Sequence, residues 1–253
     1  MTPLTPLHLV FVAAAAGGAG FLNAFAGGGT LITFPSLLAA GLSPVAANVT
    51  STVAIWPGQI SSVWAYRGHI AEERRVAMAL AVPSLLGGGL GATLLLWLPE
   101  RSFAVVVPWL ILSACALLAL QGPIRAWMMR VHPAGRHPLV HWIVQFLISV
   151  YGGYFGAGIG ILMLAAMSIL ITATLQHANA LKLFFALLAN GVACVLFAFD
   201  GRVDWPVAAL MAVAALLGGF VGARLAQRLA PGPMRAIAIA VGLFAAGRIL
   251  LAG

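Results

Sequence analysis

The chain has 253 residues, 62% of them hydrophobic and only 7% charged, with a mean hydropathy of +1.07. A soluble domain carries about 25% charged residues, so a soluble enzyme is excluded and an all-α polytopic membrane protein is indicated. The net charge of +8 comes without a basic patch interleaved with aromatics, so it points to arginine-bearing cytoplasmic loops and to no nucleic-acid partner.

The chain starts Met1-Thr-Pro-Leu-Thr-Pro-Leu-His8, without lysine or arginine. A cleavable signal peptide wants a positive leading region, so none is expected, and an N-terminus on the outside is permitted. Ten apolar segments follow, at 7–26, 28–42, 44–66, 76–98, 102–121, 139–157, 159–175, 177–199, 206–229 and 233–252. Several reach the roughly 20 residues that a spanning helix needs. The second and seventh are short, and each follows a glycine-rich break, Gly27-Gly28-Gly29 or Gly156-Ala-Gly158-Ile-Gly160. Segments 7–42 and 139–175 therefore read either as pairs of crossings or as re-entrant hairpins. Ser43-Pro44 signals a helix start, with Ser43 as N-cap and Pro44 as first helical residue.

An internal repeat runs at an offset of 131 residues: Gly27, Gly29, Asn48, Gly87, Gly88, Gly91 and Ala92 map onto Gly158, Gly160, Asn179, Gly218, Gly219, Gly222 and Ala223. Gln59 maps onto Asn190, and Ser51 onto Lys182. The predicted division is a first transmembrane repeat at 1–121, a basic cytoplasmic linker at 122–138 and a second repeat at 139–253. Each repeat holds five segments, an odd number, so two inverted repeats are expected. The arginines agree. With Arg67, Arg74 and Arg75 in the cytoplasm, the linker arginines Arg125, Arg130 and Arg136 and the last-loop arginines Arg228 and Arg235 also fall inside. The net-negative loop from Asp200 to Asp204 falls outside. Arg101 and Arg202 are the exceptions to the positive-inside rule.

Lys182 is the only lysine, and it stands within a hydrophobic run. An ionisable group at bilayer depth costs about 2.5–3.5 kcal/mol on insertion scales and commonly marks a functional site. All five acids (Glu72, Glu73, Glu100, Asp200, Asp204) lie in polar breaks, so the membrane interior offers a cation and no carboxylate, which suits an anion. At 100° per residue, Asn179, Lys182 and Asn190 share one helix face. The matching face of the first repeat carries Asn48, Ser51 and Gln59, with Thr50 and Thr52 adjacent. Two such faces meeting across a pseudo-two-fold axis would line one polar cavity; ordinary interhelical hydrogen bonding is the alternative.

The breaks Gly27, Gly28, Gly29 and Thr30, and Gly158 and Gly160, open new helices whose N–H groups and dipole ends favour anions. Close helix packing is the competing explanation, and it is the one expected for Gly87 to Gly89 and Gly218-Gly219. His177 is the proton-coupling candidate, because histidine changes charge near physiological pH; an interfacial or hydrogen-bonded histidine is the competing explanation, and Lys182 itself and co-transport of the protonated anion are the other coupling routes. His69, His132, His137 and His141 read as solvated loop residues. Cys115 and Cys194 read as buried small hydrophobes, not as a disulfide or metal site. Metalloprotease, nucleophile-elbow and Walker signatures are missing from the sequence, so no enzyme activity, cofactor or metal is expected.

The run Gly20-Phe-Leu-Asn-Ala-Phe-Ala-Gly-Gly-Gly-Thr-Leu-Ile-Thr-Phe-Pro35, followed by Gly41-Leu-Ser-Pro-Val-Ala-Ala-Asn48-Val-Thr-Ser51, resembles the TauE/SafE sulfite exporter family, also called TSUP. The stretch Gly152–Lys182 stands where that family carries its second repeat, though it has Ala166 in place of Pro35 and Lys182 in place of Ser51. The resemblance implies a multi-pass bacterial inner-membrane carrier, expected to be a proton-driven exporter, whose partners are sulfite or a sulfonate, protons and the lipid bilayer. A homodimer is compatible with it. Two other functions fit the same sequence. A passive anion channel would conduct far faster than a carrier, and a non-transporting membrane assembly protein would bind no anion at all.

Overall fold

The computed structural model describes residues 6–25, 27–128, 138–170, 174–225 and 232–252. Its helices are α1 (Pro6–Phe25), α2 (Thr30–Ala39), α3 (Pro44–Ala65), α4 (Arg67–Glu72), α5 (Arg74–Trp97), α6 (Glu100–Ala119), α7 (Gln121–Met128), α8 (Pro138–Tyr154), α9 (Ile159–Leu170), α10 (Leu175–Ala198), α11 (Trp205–Leu225) and α12 (Gly232–Ala252). Every element among the described residues is helical, as a bilayer demands, since only a helix or a closed barrel satisfies its own backbone there. Each of the ten predicted apolar segments contributes a helix among the described residues. The short α4 and α7 are additions, formed within the polar breaks. Arg130, Arg136, His132 and His137 of the linker, and Arg228 of the last loop, lie outside the described residues.

Glycine contacts fix the helix directions. Gly17 faces Ala214 and Gly218, Gly20 faces Ala215 and Gly219, and Phe21 faces Gly222, so α1 and α11 run parallel. Gly87 faces Phe146 and Ser149, and Gly91 faces Val150 and Tyr154, so α5 and α8 run parallel. Gly58 faces Ala215 while Ser62 reaches Gly219, which sets α3 parallel to α11 as well. α1 and α3 thus start at the same face, and α2 must carry the chain back between them.

α2 has only 10 residues and rises about 15 Å, half of a hydrocarbon core about 30 Å thick. α9, with 12 residues, has the same role after α8. Five helices among the described residues are long and apolar enough to cross a membrane: α1, α5, α6, α10 and α11. α3 is 22 residues long, but its Asn48, Thr50, Ser51, Thr52 and Gln59 are all turned inward and buried. Pro44 takes the first helical position as expected, whereas Ser43 makes no side-chain cap.

The two hairpins meet at their tips. Gly27 and Gly158, equivalent under the 131-residue offset, have φ of 74° and 75°, left-handed values that suit glycine. A Cβ on Gly27 would lie 2.6 Å from Gly160 Cα, so bare backbone passes bare backbone at this point.

Candidate functional site

Between the hairpin tips, α3 and α10 lies a cavity of about 20 Å³, room for about one water. Lys182, Gln59 and Asn190 line it, with Thr30, Gly27 and Gly160 from the hairpins. No aspartate or glutamate is among the lining residues. Lys182 is 1% exposed, and its Nζ donates to the carbonyl of Asn23 at 3.5 Å. The Gln59 carboxamide is buried with its Oε1 unpaired.

Asn23 escaped the sequence reading, and it ties the first hairpin together. Its Oδ1 accepts the Gly29 N–H at 2.8 Å, so the position that an anion would take at the start of α2 is filled by this carboxamide. The only sequence signal was an asparagine within an apolar run. Gly28 (φ 102°) forms the rest of the first tip, and Gly158 packs on Ala114.

Other predicted residues are placed around the cavity. Asn48 donates from Nδ2 to the Tyr154 carbonyl at 3.0 Å, and Asn179 donates to the Ala24 carbonyl at 3.4 Å. Each asparagine thus holds the broken helix end of the opposite half. Ser51 pairs with Thr33 at 2.6 Å, fastening α3 to α2. Thr50 Oγ1 accepts the Asp204 N–H at 3.0 Å.

Towards the arginine-bearing end, α10 begins with Thr174, His177 and Asn179. His177 Nε2 is 2.6 Å from Glu72 Oε2 of α4, and Thr174 Oγ1 is 2.6 Å from His177 Nδ1. The hydrogen bond from His177 holds the Glu72 carboxyl below its ordinary pKa. His69, expected to be solvated, meets the His177 ring edge-on at 5.3 Å and the Tyr66 ring at a tilt at 5.8 Å. Tyr66 is buried.

At the opposite end, the loop after α10 is held by the Asp204–Thr50 bond and by Arg202, which donates to the Leu96 carbonyl at 3.2 Å and pairs with Asp200. That pairing raises the Arg202 guanidinium further above its ordinary pKa. No group of three metal-ligating side chains occurs among the described residues.

The family model for the sulfite exporter TauE/SafE matches residues 12–249. The chain belongs to the TauE/SafE family. It is 31% identical over 246 residues to a probable membrane transporter protein of Sinorhizobium, covering 96% of this chain and 92% of that one. A probable membrane transporter protein of Haemophilus influenzae is 30% identical over 207 residues, covering 82% and 80%. The probable membrane transporter protein YfcA of Escherichia coli K12 is 28% identical over 235 residues, covering 90% and 82%. No solved structure matches the chain. Family and helices together make this TauE/SafE chain a multi-pass membrane protein of a transporter family.

Proposed function

We propose that the chain is a secondary transporter that exports a small sulfur oxyanion, sulfite or an organosulfonate, across the bacterial inner membrane by proton-coupled alternating access. The observation that carries the proposal is the buried Lys182 in a cavity between two glycine hairpin tips, with Gln59 and Asn190 as polar neighbours. A cation at that depth is costly, and a ligand of opposite charge offsets the cost. The family name agrees, since it describes sulfite export.

A cavity of about 20 Å³ holds a water and not a sulfite, so the hairpin tips must part for the substrate to enter. Equivalent interfaces in the two repeats support rocking of one repeat against the other, the movement common to inverted-repeat carriers. In this reading His177, five residues before Lys182 on α10, exchanges the coupled proton; Lys182 itself and co-transport of the protonated anion are the alternative routes.

The test is sulfite-dependent thermal stabilisation of purified protein, wild type against Lys182→Ala, with sulfate, sulfonates and acetate as comparators. A ligand at about 100 times its Kd adds about 2.7 kcal/mol, so sulfite or a sulfonate should raise the Tm of the wild type selectively. The shift should vanish in Lys182→Ala while that variant elutes as a folded protein. Equal shifts in both proteins would remove Lys182 from the site.

A further inference from the structure

We propose that Glu72 and His177 form a latch that holds α4 over the path to the Lys182 cavity and loosens when the pair loses its charge. The latch deepens the transport reading, on which its purpose rests. The two partners are 105 residues apart and belong to opposite repeats. Their bond therefore crosses the interface that alternating access has to open. Beneath it, the ring of His69 lies against those of Tyr66 and His177, and Ile70 of α4 packs against the cluster that includes Leu183, which lines the cavity. Lifting α4 removes this cover from the cavity.

The groups facing the pair are few. His177 and His69 act on Glu72, and Thr174 holds the other nitrogen of His177. Tyr66 lies at a tilt against His69, and Lys182 lies deeper on α10. Glu73, Arg74 and Arg75 follow on the same stretch of chain. Arg67 is engaged elsewhere, donating to the Trp64 carbonyl and lying 4.7 Å above the Trp64 ring.

The contacts described at the opposite end are of another kind. There the Asp204–Thr50 bond is backbone to hydroxyl, and the Arg202–Asp200 pair lies within one loop. Arginine does not lose its proton in proteins, so the Arg202–Asp200 pair does not loosen near neutral pH, whereas the Glu72–His177 pair includes a histidine. The sign follows from both partners. The bond from His177 holds Glu72 ionised at neutral pH, so the carboxylate half is lost only in acid. The bond is charge-assisted with a protonated imidazole and weaker with a neutral one. The Glu72 side chain is 66% exposed, and an exposed pair shifts an equilibrium by only about threefold. That size suits a latch that has to release in every cycle.

The experiment reads cavity access without any substrate. Ala186, a buried cavity-lining residue, is replaced as Ala186→Cys in a background with Cys115→Ala and Cys194→Ala. Purified protein is labelled with a small thiol reagent at about pH 6 and about pH 8.5. Dividing each variant's rate by the parent's cancels the pH dependence of the thiol itself. Glu72→Gln should label about threefold faster than the parent at pH 6 and at the parent's rate at pH 8.5. The exchanged pair, Glu72→His with His177→Glu, should return the pH 6 rate to the parent's and shows that the variants fold. A ratio of one at both pH values, or the same raised ratio at both, overturns the latch. Sulfite stabilisation with no change in labelling ratio would sink the latch and leave the transporter. The expected labelling with no sulfite effect would do the reverse.

Discussion

Asn48 and Asn179, 131 positions apart, do the same work in opposite halves. Each sends a carboxamide N–H to a carbonyl at the end of a broken helix, at Tyr154 and Ala24. A broken end at membrane depth has carbonyls that no lipid can satisfy, so an asparagine from the other repeat supplies the donor. Gln59 differs: it lines the cavity, which neither asparagine does. The two residues should therefore fail in different ways. Asn48→Ala should lower stability by about 1 kcal/mol, the scale of an interhelical bond in a membrane, and keep the sulfite-dependent rise in Tm. Gln59→Ala should barely change the Tm without ligand and should reduce the rise. Thermal unfolding with and without sulfite separates them, and identical behaviour would refute the division. The sequence placed Asn48, Asn179, Lys182, Gln59 and Asn190 in one polar set because polar residues stand out in apolar runs. It could not say which side chains face the cavity and which staple helix ends, because that depends on where the opposite repeat stops. For the same reason Asn23 and the Glu72–His177 pair were not legible: each partner comes from another element.

At the scale of the element, small residues decide which helices touch. A Cβ on Gly88 would meet the Ala189 carbonyl oxygen at 2.5 Å, and one on Gly219 would meet that of Gly58 at 2.4 Å. Positions 88 and 219 are equivalent, as are 58 and 189, so one contact is built twice. Gly88→Ala and Gly219→Ala should each cost about 1–3 kcal/mol, the usual penalty for overpacking, and the two losses should be similar. Gly18 has nothing within 4 Å of an added Cβ, so Gly18→Ala should be neutral or gain up to about 1 kcal/mol from helix propensity. Denaturation midpoints of the three variants check this. The Gly-Gly-x-x-Gly spacing read correctly as packing, because small residues have little other use on a membrane helix face. The hairpins were half legible: glycine marked their tips, but only the helix directions show that α2 returns the chain to the face from which α1 started.

At the scale of the whole molecule, sidedness follows from helix direction combined with arginine placement. α3 ends and α5 begins at α4, where Arg67, Arg74 and Arg75 cluster. α5 ends and α6 begins at the far face, where Glu100 accepts the Val45 N–H at 3.4 Å beside the start of α3. Arg101 stands at that far face against the positive-inside trend, so it tests the assignment harder than a loop that obeys the rule. Gly68 lies in α4 with open space around it, and Arg101 is exposed; neither replacement disturbs a packed contact. Cys115 and Cys194 are buried and contribute little background. In intact cells, an impermeant maleimide should label Arg101→Cys and leave Gly68→Cys untouched until the membrane is permeabilised. With that result, α4 and its His177 bond face the cytoplasm, and the Asp200–Asp204 loop closes the outside. The reversed pattern would turn the molecule over, put α4 and the Glu72–His177 pair outside, and make the latch answer to the external medium.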